Sequence, residues 1–210
     1  MLVSAPAAAE RAHELVVEPG LEEARALARD HTVVPLRHAF IDDCETPVAA
    51  YLKLRGEEPS FLLESAEQGQ RFGRWSFVGV RPRTTVRLDR GVLTVGGEPR
   101  RYADPYLAVA EELARYRPAP LCGGGPPFAG GAVGLFGYDL VRHAEPSVGA
   151  PNPDELDLPD LALMVSDVLL AFDHFTHEVT VIANVFAEDA DTEGFEPAYA
   201  AAAAAIAEVR

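Results

Sequence analysis

The sequence predicts an α+β domain, a mostly antiparallel sheet with flanking helices. Short β-branched and aromatic runs cluster between Ser60 and Val95 and again between Leu161 and Val185. Helical spacing precedes, separates and follows them, and Gly, Pro and Asp turns divide the runs. Strands grouped in this way pair mostly antiparallel. With 210 residues, 48% of them hydrophobic, the chain can build one domain with a real core and an added arm.

Residues 1–18 are Ala-rich, mixed in charge and without a clear period, and read as a flexible N-terminal arm. Residues 19–210 read as a single domain, because no repeat and no linker divides them. Order is expected to begin near Pro19. There PGLEEARALARD sets Pro at a helix start and Glu22 and Glu23 in its first turn, where acidic side chains complement the helix dipole. Leu21, Ala24, Leu27 and Ala28 fall on one face. HTVVPLRHAF follows as a strand, and Pro35, which has no N–H to donate, suits an edge or a strand start. ETPVAAYLKLRG is a second helix, capped by Thr46 with Pro47 in its first turn. Val48, Tyr51, Leu52 and Leu54 are expected to face the core, and Gly56 to end the helix.

SFLLES, RWSFVGV, TTVRLD and GVLTVGG then read as four strands. PYLAVAEELARY returns to helical spacing, with Tyr106, Val109, Leu113 and Tyr116 on one side. RPAPLCGGGPPFAGG is too irregular for either element. GAVGLFGYDLVR looks like a buried strand running into a short helix, and LALMVSDVLLAFDHFTHEVTVIANV like two strands joined by a turn at His174 to His177. The tail FEPAYAAAAAAIAEVR is a strong helix former. It reaches Arg210 without a C-terminal cap signal, which leads us to expect a longer protein.

Charge narrows the function classes. The chain has 33 acidic residues against 18 basic ones, a net charge of -15. Phosphate backbones and anionic membrane surfaces need clustered Lys and Arg, so no nucleic acid and no membrane is expected as a partner. Cys44 and Cys122 are the only cysteines. They allow one disulfide but make neither a secreted disulfide scaffold nor a zinc site. The opening lacks the apolar run of a signal peptide, and no stretch reaches the roughly 18 apolar residues of a transmembrane helix. A cytoplasmic protein is expected.

Several constellations invite a chemical reading. GGGPPFAGGAVGLFG has neither the GK[ST] ending nor the GxGxxG spacing of phosphate-binding loops, and reads as a loop of close backbone approach. His174 and His177 form an HxxH pair beside Asp173, but their neighbours alternate like strands and no third ligand is evident. A turn with local hydrogen bonds is the better reading. Ser65, Ser76 and Ser166 lack an elbow context, and the acidic setting of Cys44 disfavours its thiolate. No catalytic residue and no metal ligand is assigned. Glu64 and Ser65, at the end of the apolar run FLLES, suit either a small polar ligand or ordinary strand-end hydrogen bonding. Arg71, Arg74 and Trp75 follow, two cations and the only Trp, and together they can hold an amino acid's carboxylate and aromatic body.

Four segments in order carry a resemblance: VVPLRHAFIDDCETPVAAYLKL, FLLESAEQGQRFGRWSFVGV, FAGGAVGLFGYDLVRHAE and LPDLALMVSDVLLAFDH. Over roughly residues 17 to 185 the chain resembles the N-terminal region of anthranilate synthase component I, the large subunit. FLLES, RWSF and GGAVGLFGYD are specific as a set. Aminodeoxychorismate synthase component I shares much of the pattern, and TPVAAYLKL with the helical opening favours the anthranilate branch.

The resemblance implies the N-terminal part of the anthranilate/aminodeoxychorismate synthase fold. It implies a complete subunit that converts chorismate to anthranilate and pyruvate, using Mg2+ and ammonia supplied by a glutamine amidotransferase subunit (component II). It also implies that L-tryptophan, as feedback effector, binds the LLES element, here Leu62, Leu63, Glu64 and Ser65, with Arg74, Trp75 and Ser76 in the neighbouring motif. The family's chorismate- and Mg2+-binding residues belong to a C-terminal domain that this chain does not include. The family's two regions pack sheet to sheet, so apolar surface awaiting that domain is expected here. A stand-alone tryptophan-binding or assembly module is the competing reading.

Overall fold

The computed structural model describes residues 15–64, 73–149, 153 and 155–210. Its elements are α1 (Leu21–Leu27), β1 (Val33–Ile41), α2 (Pro47–Leu54), β2 (Phe61–Leu63), β3 (Trp75–Asp89), β4 (Val92–Val95), β5 (Glu98–Arg100) and α3 (Pro105–Leu113). They continue with β6 (Ala132–Phe136), a 3-10 turn (Tyr138–Leu140) leading into α4 (Val141–Ala144), β7 (Leu161–Asp173), β8 (Glu178–Phe186), α5 (Ala187–Glu193) and α6 (Phe195–Val209). The α+β expectation holds, and every pair of named strands is antiparallel. The sheet runs β1-β8-β7-β3-β4-β5, with β2 added on β3 and β6 on β7. Pro35 lies within the edge strand β1, where a missing N–H costs no ladder bond on the open side.

The sequence divides RWSFVGV from TTVRLD, but β3 is one strand of 15 residues. The RPR between them forms a bulge rather than a turn. Pro82 stands opposite Ser166 and Thr84 opposite Val165, so Arg83 is an extra residue. Arg81, at φ 54, takes the left-handed conformation that redirects the chain there. The extra residue reverses which side chains face which side. Before it, Val78 and Val80 pair with Leu170 and Val168; after it, Val86 and Leu88 pair with Leu163 and Leu161. Residues of even number on β3 thus meet even residues of β7 first and odd ones afterwards, on the opposite face of the sheet.

Each face has its own core. On one, Val34, Leu36, Val78, Val80, Val168, Leu170 and Val181 pack under Ala24 of α1, Ala50 of α2, and Ala202 and Ile206 of α6. On the other, Val86, Leu88, Leu93, Leu161 and Leu163 pack under Ala108 and Val109 of α3, with Leu140 beside them.

Other expectations change in detail. Residues 15–18, given to the arm on composition, lie against the sheet. Glu18 exchanges backbone bonds of 2.9 and 2.7 Å with Arg37, and its carboxylate takes Arg37 Nη2 at 2.9 Å. Leu15 and Val17 pack on the first core. On α2 the Thr46 cap is present, its Oγ1 accepting from the Ala49 N–H at 3.2 Å. The helix turns Pro47, Ala50, Tyr51 and Leu54 inward, however, and leaves Val48 and Leu52 exposed. Small Ala50 permits the close approach to the sheet that sets this face. On α3 the inward positions are Pro105, Ala108, Val109 and Glu112, with Leu113 packing beside them as expected, while Tyr106 stacks outward on Phe136 at 6.2 Å. Glu112 is buried because Arg100 and Arg115 reach it at 3.2 Å and Tyr116 donates to it at 3.3 Å. Strand β6, expected to be buried, pairs only with β7, and Leu135 and Phe136 remain exposed.

The bulge is held by its extra residue. Arg83 donates to Asp189 at 2.8 and 2.9 Å and to Glu188 at 2.7 Å, with its guanidinium 4.7 Å from the Phe186 ring centroid. Arg83→Ala is therefore expected to lower urea-unfolding stability by about 1–3 kcal/mol, with Arg83→Lys recovering only part. Opposite the bulge, burial pushes the Asp167 carboxyl up to about 6, against the pull of Arg83. A raised carboxyl means that the folded state holds its proton more tightly than the unfolded state. Its contribution to stability therefore falls as pH rises from about 4 through 6. Asp167→Asn is expected to abolish that slope and to add on the order of 2 kcal/mol above pH 6, read from denaturation curves at pH 5 and 7.5.

Candidate functional site

The residues singled out in FLLES and RWSF meet where β2 runs along the first half of β3. Phe61 stands opposite Gly79, and its ring covers that glycine so closely that a Cβ there would fall 2.1 Å from the ring. This seat fixes the register of β2. Leu62 then points into the first core, and Leu63, opposite Phe77, takes the other face and is 44% exposed. Glu64 follows, exposed and joined to no described residue. Ser65 and Arg71 lie outside the described residues.

Strand alternation puts Trp75 and Phe77 on the same face as Leu63. Their rings stack at 6.4 Å, and Phe128, from the Gly/Pro-rich loop, meets Phe77 edge-on at 5.7 Å. Arg74 closes this apolar surface. Its Cζ lies 5.0 Å from the Trp75 centroid and 6.0 Å from that of Phe175, a cation within reach of two rings. Its Nε meets Asp173 Oδ1 and Oδ2 at 3.0 and 3.1 Å, and its Nη2 meets Oδ2 at 2.5 Å. Asp173 is the buried partner, with 3% of its side chain exposed against 48% for Arg74. The Arg74 hydrogen bond, the larger influence, and the Phe175 N–H hold the Asp173 carboxyl down at about 2, against the effect of burial.

Ser76 goes elsewhere. It faces the first core, 2% exposed, with its Oγ 2.7 Å from His174 Nε2. The geometry thus sets Leu63 and Trp75 on one face with Arg74 over Trp75, leaves Glu64 exposed and sends Ser76 to the opposite face. The HxxH histidines separate as well, since His177 Nδ1 lies 3.4 Å from Asp43 Oδ1. Among the described residues no group of three or more His, Cys, Asp or Glu is placed to hold a metal ion.

Three participants escape a reading of the sequence. Asp173 reads as a turn residue, and it does accept from the Phe175 N–H at 3.0 Å, but its chief partner stands 99 positions away. Phe175 and Phe128 sit in a turn and a loop whose placement no periodicity reveals. The chemistry available here is recognition, by a partly exposed guanidinium beside flat aromatic surface. The nearby contact of a hydroxyl with an imidazole, Ser76 with His174, lies on the other face.

Comparison with known proteins gives a consistent answer. Anthranilate synthase component 1 of Pseudomonas aeruginosa is 40% identical over 182 residues, covering 83% of this chain and 36% of that protein. The Thermus thermophilus protein of that name is 46% identical over 152 residues, covering 71% and 32%. That of Mycobacterium tuberculosis is 35% identical over 197 residues, covering 89% and 37%. The chain therefore spans about a third of the length of the curated relatives it matches. Among solved structures, anthranilate synthase component I from Streptococcus pneumoniae TIGR4 is 26% identical with a TM-score of 0.49, covering 75% of this chain and 34% of that one. No family model matches.

The Arg74–Asp173 pair has a direct signature. A carboxyl held low contributes stability that is present above its unfolded value and is lost as pH falls from about 4 through 2. NMR titration of the Asp173 carboxyl is expected to show a midpoint at about 2, moving up toward the ordinary range in Arg74→Ala. An unmoved midpoint would mean that another group holds it.

Proposed function

Because the chain belongs to the anthranilate synthase component 1 family, we propose that it is the tryptophan-sensing portion of such a synthase. The observation that carries this reading is the placing of Leu63 and Trp75 on one face beside Arg74 where β2 meets β3, with exposed Glu64 next in the chain, at the segment the family resemblance gives to the effector. Flat aromatic surface suits an indole, and the guanidinium suits a carboxylate. Ser65 completes the LLES element. Ser76, turned to the other face, supports the site from behind through His174.

In this reading the whole protein converts chorismate and ammonia to anthranilate and pyruvate, the ammonia coming from a glutamine amidotransferase subunit. The relatives compared above all carry the anthranilate synthase name, which supports that branch over aminodeoxychorismate synthase. The catalytic and Mg2+-binding groups belong to the remaining two thirds, and no residue of this chain is assigned to either role. Tryptophan acts by its differential affinity for two arrangements of sensor and catalytic portion, favouring the inactive one. The exposed apolar edge formed by Leu135, Phe136 and Tyr138 suits contact with that portion.

No helix of the described residues is long and apolar enough to cross a membrane. The acidic balance disfavours nucleic acid.

The test uses the gene product that carries this sequence. Anthranilate formation is expected to be inhibited by L-tryptophan. Glu64→Ala and Ser65→Ala are each expected to raise the inhibition constant about tenfold or more while leaving turnover within about twofold. Unchanged inhibition in both variants would remove the effector assignment. A product that binds tryptophan but forms no anthranilate would point to a stand-alone sensing module instead.

A further inference from the structure

We infer that Asp173, in the β7–β8 turn, is a positioning residue that aims the open end of Arg74 at the carboxylate of an aromatic amino acid. The inference deepens the proposed tryptophan site and rests on that reading. A guanidinium has five N–H donors in a rigid fork and can meet carboxylates along more than one edge. Asp173 takes the side edge, through Nε and Nη2. The Nη1 end makes no hydrogen bond to any described residue, and nearly half of the Arg74 side chain is exposed. One edge is thus spent on orientation and the other is left for a ligand.

The surroundings make that orientation firm. Asp173 is itself fixed, with its Oδ1 accepting from the Phe175 N–H at 3.0 Å and its backbone carbonyl accepting from the His177 N–H at 2.8 Å. The Trp75 and Phe175 rings lie 5.0 and 6.0 Å from the guanidinium carbon, so ring contacts add to the Asp173 bonds in holding it. Asp173 stands opposite Trp75 in the β3–β7 register, which ties the cation, its buried counter-ion and the ring to one rung of the sheet. A ligand whose ring lies along Trp75 would then meet the open end of Arg74 with a carboxylate carried on a short side chain of that ring. An amine without a carboxylate gains nothing from that end.

The experiment compares L-tryptophan with tryptamine, its counterpart lacking the carboxylate, by calorimetry on the protein. The unsubstituted protein is expected to prefer tryptophan strongly. Asp173→Asn, nearly identical in shape, is expected to weaken tryptophan about tenfold or more while tryptamine changes by less than about twofold. Equal weakening of both ligands would mean a merely structural role and would overturn the inference. So would an unchanged tryptophan-to-tryptamine ratio, with the tryptophan reading left standing. Failure of the unsubstituted protein to bind tryptophan would overturn both. A second measurement needs no substitution. On adding tryptophan the NMR signals of the Arg74 Nη protons are expected to shift while its Nε–H stays in place. A matching displacement of Nε–H would show the Asp173 pair breaking, contrary to a positioning role.

Discussion

A strand of 15 residues with unbroken alternation shows one set of side chains to each face along its whole length, and this fold depends on breaking that alternation once, in β3. The first half of β3 serves a core under α1, α2 and α6, and the second half serves a core under α3 on the opposite face. Arg83 makes this possible by shifting the alternation by one. β7, its partner, has no such shift and presents both parities in turn, Val168 and Leu170 to one face and Leu161 and Leu163 to the other. The bulge therefore lets a single pair of long strands organise two helix layers. It is also a point where polar groups must enter the sheet, which explains why Arg83, Asp189, Glu188 and Asp167 gather around it.

The candidate site depends on the half of β3 before the bulge. Its rings lie on the face away from α1, α2 and α6. Phe61 over Gly79 and Phe128 against Phe77 are the covering contacts, and both come from segments outside the long strands. Missing a side chain at position 79 is what lets Phe61 seat on β3 and so sets Leu63 opposite Phe77. The framework supplies rigidity through β3 and β7, and the short strand and the turn supply the specific groups. That division suits recognition, since residues on a well-packed sheet hold their geometry while turn residues tune it.

Much of this was legible in the residues. The Thr46 cap and first-turn Pro47 of α2, the edge position marked by Pro35, and the β7–β8 hairpin all follow from local rules, because local sequence sets them. What eluded the sequence has a common physical origin in contacts between distant segments. RPR has the composition of a turn, and only pairing with β7 makes it a bulge. Val48 and Leu52 are as apolar as Tyr51 and Leu54, and only the approach of Ala50 to the sheet selects the inward face. Glu112 looks like a surface residue of an amphipathic helix until Arg100 and Arg115 are brought to it. For the candidate site, FLLES and RWSF fall on neighbouring paired strands, yet Asp173 and Phe175 were invisible because nothing in a turn names its partner 99 residues earlier.

The charge balance sharpens what the site can recognise. In a chain of net charge -15, the average field repels an anionic ligand, so any attraction for a carboxylate must be local. Several arginines are committed to carboxylates inside the fold: Arg37 to Glu18, Arg83 to Asp189 and Glu188, Arg100 to Glu111 and Glu112. Each is close to neutral seen from outside. Arg74 is paired too, but along one edge only and beside apolar rings that keep water from part of its surface. Hydrogen bonding strengthens where water is excluded, while salt screens the long-range repulsion within about 8 Å at physiological ionic strength. A carboxylate that brings its own ammonium group, as an amino acid does, carries no net charge for the distant field to oppose. A zwitterion with a flat apolar side chain is therefore the class of molecule for which an acidic surface and a single half-open arginine are compatible.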